Sequence, residues 1–89
     1  MNDHQRRVLN HMLASLKSGD WSEGKLRNVQ SDLEANLGVL EDPQVISQVE
    51  VVIASLDECI HLLDEKDGVE TGRKLCESLI GKIEARILA

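Results

Sequence analysis

Apolar residues along this chain recur at steps of three and four, in four runs separated only by short polar breaks. That period fits one stripe of a 3.6-residue helix and does not fit the alternation of a strand. In the first run Val8, Leu9, Met12, Leu13 and Leu16 share a stripe, and Ser18-Gly19-Asp20 ends it. Asp20 followed by Glu23 has the spacing of a capping box, so the second helix is expected to start there and run to about Glu41 on Leu26, Val29, Leu33, Leu37 and Leu40. Asp42-Pro43 is the clearest boundary, because Asp is a favoured N-cap and Pro is tolerated at the first helical position, where its missing N–H costs nothing. The third run carries Val45, Ile46, Val49, Val52, Ile53, Leu56, Cys59, Ile60 and Leu63, an apolar face about 140° wide. Its β-branched cluster from Val49 to Ile53 also suits a strand, but alternation fails on both sides and the helical spacing continues. Lys66-Asp67-Gly68 reads as the next turn, followed by a helix from near Val69 or Thr71 on Leu75, Cys76, Leu79, Ile80, Ile83 and Ile87.

Short loops between amphipathic helices favour antiparallel neighbours. The expectation is an all-α fold, an antiparallel up-and-down four-helix bundle with helices over 3–18, 20–41, 43–66 and 69–88, forming one domain over 1–89. A chain of 89 residues has room for a single core. Folding the last two helices about a turn near Asp67 would pair Cys59 with Cys76, Leu56 with Leu79, Leu63 with Gly72 and Val52 with Ile83, so that apolar meets apolar or a glycine. A helical hairpin that dimerises into a bundle satisfies the same pattern.

Chemical motifs are sparse. Cys59 and Cys76 lack the Cys-x-x-Cys spacing of redox or zinc sites and read as core thiols. Glu58 and His61 have the Glu-x-x-His spacing of di-iron bundles, but one copy is present where two are needed, and both residues sit off the apolar face. His4 and His11 lack ligand partners at useful spacing, and no serine lies in a Gly-x-Ser-x-Gly context. The segment Gly68 to Lys74 departs from a phosphate loop: its glycines are too close, and Leu75 stands where Ser or Thr is required. The expectation is a protein that is not an enzyme, with no cofactor, no bound metal and no small-molecule substrate.

Composition narrows the partner. With one Trp and no Phe or Tyr, the chain has little to stack against bases or sugars. Sixteen acidic residues against ten Lys and Arg disfavour a phosphate backbone as ligand, so no nucleic acid is expected. No apolar run suits a membrane span or a signal core, which makes a cytoplasmic location the expectation and a membrane partner unlooked for. The charge is uneven: residues 42–67 hold seven carboxylates and one lysine. Asp57, Glu58, Asp64 and Glu65 thus mark an acidic edge on helix three, where Val51 and Leu62 fall nearly in line opposite the main apolar stripe. Carboxylates around an apolar pair suit the rim and centre of an interface with a basic protein. Trp21, at the start of helix two, is either a lid on the core or an exposed anchor.

The stretch Leu13 to Ser22, Leu-Ala-Ser-Leu-Lys-Ser-Gly-Asp-Trp-Ser, followed by Leu26, Val29, Asp32-Leu33-Glu34, Leu37 and Leu40, resembles a pattern in small bacterial immunity-protein-like helical bundles. The resemblance covers about a third of the chain. It implies a non-enzymatic bacterial protein that neutralises a basic toxin or nuclease by covering its working surface with acidic side chains. The alternative is a structural or regulatory module that self-associates as a dimer, with Val51 and Leu62 between copies.

Overall fold

A computed structural model describes all 89 residues. Four helices make up the chain, with no strand: α1 over Asp3–Lys17, α2 over Glu23–Leu37, α3 over Pro43–His61 and α4 over Glu65–Leu88. Each begins at a side chain that accepts a backbone N–H left free in the first turn. Asn2 accepts from Gln5 at 2.8 Å, Ser22 from Lys25 at 3.1 Å, Asp42 from Gln44 at 2.9 Å, and Asp64 from Asp67 at 2.8 Å. Val49 to Ile53 is helical.

Three boundaries differ from the expected ones. The cap of α2 is Ser22 and not Asp20: the chain turns at Gly19, φ +72°, and enters the helix at Glu23. Helix α2 stops at Leu37 rather than near Glu41, yet Leu40 is still buried. The apolar period outlasts the helix because Leu40 folds back onto the core while Gln5 satisfies the turn. Its buried side chain donates to the Val39 carbonyl at 2.7 Å and accepts from the Glu41 N–H at 3.0 Å.

The third difference shifts the α3–α4 hairpin. Helix α3 ends at His61 and not at 66, and Lys66-Asp67-Gly68 is the first turn of α4 rather than a loop. Gly68 is there for closeness: a Cβ on it would lie 2.3 Å from the Cys59 carbonyl oxygen. Asp42 meets Arg86, Gln48 meets Lys82 at 2.7 Å, and Cys59 meets Gly68, three contacts that run in opposite order along the two helices. The expected pairing of Leu63 with Gly72 is not made. Leu63 is 43 % exposed, while a Cβ on Gly72 would fall 2.6 Å from a Leu26 methyl. That missing side chain lets α2 touch α4 across the bundle, whereas α1 and α3 do not meet.

Seventeen buried apolar residues form one core, drawn from all four helices and from Leu40. Its fully enclosed members include Leu16, Leu33, Leu56 and Leu79, the expected stripes. No helix is long and apolar enough to cross a membrane.

Candidate interaction surface

The residues singled out on the third helix do not form one edge. They fall into three places, because consecutive helical positions are turned by about 100°. Asp57 points toward α2, where its carboxylate accepts from Gln30 Nε2 at 3.4 Å and lies 3.6 Å from His61 Nε2. Glu58 and Leu62 line a groove of about 340 Å³ on the other side, between α3 and α4, floored by Cys59 and Leu75. Glu65 shares a shallow hollow with Trp21, Val69 and Arg73.

Asp64 is the N-cap of α4, so one of its oxygens is already engaged. A carboxylate there is favoured by the four free N–H groups of the first turn and by the helix dipole. The sequence carries a signal for this start, since Asp64 is a favoured N-cap residue followed by Glu65 and Asp67, the acidic residues that suit a first helical turn. Placing the helix start here explains Leu63, which the apolar stripe assigned to the core and which the short turn leaves outside. Leu62 is 77 % exposed and Val51 53 %.

Of the seven ion pairs, none uses Glu58, Asp64 or Glu65. The exposed leucines of the α3–α4 turn therefore stand near carboxylates that belong to no internal ion pair. Trp21 is partly buried and packs on the core, and the Lys25 ammonium sits 3.8 Å from the centre of its ring. That ammonium also donates to the Gly19 carbonyl at 3.3 Å, tying the α1–α2 turn to α2.

The two thiols are free and buried. Burial pushes Cys76 up to about 12, with the Cys59 and Glu77 charges adding and Lys25 opposing. Burial also raises Cys59, helped by neighbouring Glu58. Thiols held protonated are poor nucleophiles and poor metal ligands. Glu58 and His61 do not converge with other ligands: no three His, Cys, Asp or Glu side chains come together at metal-binding distance. His11 instead lies 3.4 Å from Asp32 across the α1–α2 contact.

A second groove, of about 620 Å³, lies at the far end of the same α3–α4 junction, lined by Val45, Leu79 and Ile83 and by the polar Gln48, Lys82 and Arg86. Lys82 was not singled out from sequence, because one lysine on an amphipathic helix carries no signal of its own. No known family model, curated protein or solved structure matches the chain.

Proposed function

We propose that this chain is a non-enzymatic, cytoplasmic interaction domain of the bacterial immunity-like kind, which binds a basic protein, most concretely a toxin or nuclease, through the α3–α4 turn. The observation that carries the reading is the exposure of Leu62 and Leu63 beside Glu58, Asp64 and Glu65, three carboxylates outside every internal ion pair. Burying two leucines under a partner is worth about 1.5–3 kcal/mol each before the costs of association. Unpaired carboxylates around them accelerate encounter with a cationic surface and penalise an acidic one. The scarcity of aromatic residues and the excess of carboxylates speak against nucleic acid as the ligand.

The test is capture from a host lysate at low and high salt, with the wild-type chain and Asp64→Asn/Glu65→Lys, which keeps the cap oxygen of α4, as parallel baits. The expected result is a basic protein retained at low salt, released at high salt, and bound at least about tenfold more slowly by the charge-reversed bait. A confirmed partner that is acidic, or one whose association rate is the same with both baits, would remove Asp64 and Glu65 from the interface.

A further inference from the structure

The outer side of the α3–α4 pair is matched to itself. On α3, Gln44, Gln48, Val51, Ser55, Glu58 and Leu62 follow one another at steps of four and three, which keeps them within about 80° of the helix surface. Across from them, α4 contributes Leu75 at one end of the junction and Lys82 at the other. In a chain where 29 % of residues are charged, this strip has one carboxylate, Glu58, near one end, and near the other Lys82 together with Arg86, whose charge is taken up by Asp42. Neither Glu58 nor Lys82 belongs to an ion pair, and Lys82 donates only to the Gln48 side chain, at 2.7 Å.

The spacing of the strip is symmetric about position 53. Leu62 and Gln44 lie equally far from that point, as do Glu58 and Gln48, and Ser55 and Val51. A second copy turned about a two-fold axis there brings its Leu62, about 13 Å from the axis at 1.5 Å per residue, to the level of Gln44. The 620 Å³ groove opens at that level, with buried Val45, Leu79 and Ile83 beneath it and Gln48, Lys82 and Arg86 at its sides. The same operation sets Glu58 of the second copy at the level of Gln48, where Lys82 is held. A two-fold axis makes each contact twice, so one leucine, one groove and one opposite-charge pair per chain give a closed interface.

We propose that two copies of this chain associate through the α3–α4 face, each seating Leu62 in the other's apolar groove and pairing Glu58 with the other's Lys82. The inference stands apart from the basic-partner reading, and because Leu62 serves both, the two occupants exclude each other.

The test is solution mass by sedimentation or light scattering from about 1 μM to about 1 mM. The expected course is from 9.9 kDa toward twice that value. Leu62→Asp should weaken association at least about tenfold, and Glu58→Lys or Lys82→Glu alone should do the same by placing like charges together. The Glu58→Lys/Lys82→Glu double variant should recover association to within about threefold, because the swap restores both pairs. All three positions are exposed, so circular dichroism should show the fold unchanged. A monomeric mass throughout, a dimer indifferent to Leu62→Asp, or a double variant weaker than both single ones would overturn the proposal. Asp64→Asn/Glu65→Lys should leave the dimer intact, so loss of partner capture and loss of the dimer are separately readable.

Discussion

Exchanging Gly68 and Gly81 for alanine makes one chemical change at two places in α4, and stability should move in opposite directions. Alanine is favoured over glycine inside a helix by about 1 kcal/mol, and both variants receive that term. At Gly81 nothing lies within 4 Å of the added carbon, so Gly81→Ala should stabilise by about 0.5–1 kcal/mol. For a domain of this size that raises Tm by roughly 2–8 °C. At Gly68 the carbon would stand 2.3 Å from the Cys59 carbonyl oxygen and 3.2 Å from its carbon, about 1 Å inside ordinary contact. The obstacle is backbone, which cannot rotate away, so α3 and α4 must separate where the hairpin is tightest. Overpacking of this sort costs about 1–3 kcal/mol and often more. After the helix-propensity gain, Gly68→Ala should be destabilised by about 1–2 kcal/mol, leaving the two variants about 2–3 kcal/mol apart. Urea unfolding followed by far-ultraviolet circular dichroism measures this directly, with the slope m expected to be the same for both. Equal stability of the two variants would refute both the close approach at Gly68 and the hairpin register drawn from it.

Asp42 has two duties, capping α3 and pairing with Arg86 at the end of α4. Burial alone would raise its pKa, but the Gln44 N–H and the Arg86 guanidinium outweigh that and hold it below 3.8. Asp42→Asn keeps an oxygen for the cap and loses the ion pair, at a cost under about 1 kcal/mol near neutral pH. A depressed native pKa contributes stability above the unfolded value and loses it as pH falls through the native one. Wild type and variant should therefore converge once the pH falls below the depressed native pKa of Asp42, and a gap that persists there would exclude the carboxylate as its source. Cys76, pushed up to about 12, should react with a thiol reagent only as fast as the core opens, Cys59 sooner, and both at once in urea. Rapid labelling of both in the native protein would contradict the packing around them.

The helix count and the core were legible because they depend on period alone. Leu9, Leu16, Leu33, Leu56 and Leu79 need only fall on a stripe to be buried, and all of them are. Boundaries were less legible because an apolar period does not stop where a helix does. Leu40 keeps the period of α2 while lying outside it, and its burial depends on Gln5, a polar residue 35 positions earlier that the pattern marks as surface. Reading Lys66-Asp67-Gly68 as a turn followed from the ordinary meaning of glycine. Here Gly68 sits inside α4, and its missing side chain serves contact with Cys59 rather than backbone freedom.

The candidate surface suffered most from that one boundary. With α3 carried to residue 66, four carboxylates appear to share a helix, and Leu63 appears to share its buried stripe. With α3 ending at His61, Asp64 becomes a cap, Glu65 belongs to α4 beside Trp21, and Leu63 joins Leu62 outside. Val51 and Leu62 are both exposed, as their wheel positions imply, whereas Asp57 and Glu58, expected on one edge, face different neighbours. Linear charge density is thus a weak guide to a binding surface. Asp57 has Gln30 and His61 as neighbours, and Asp42 is engaged by Arg86. The proposed contacts draw instead on groups that folding leaves outside every ion pair or outside the core, among them Glu58, Lys82, Leu62 and Leu63. A lysine among them is unexpected for a surface that only attracts cations, and it has a natural use if the face must also meet a copy of itself.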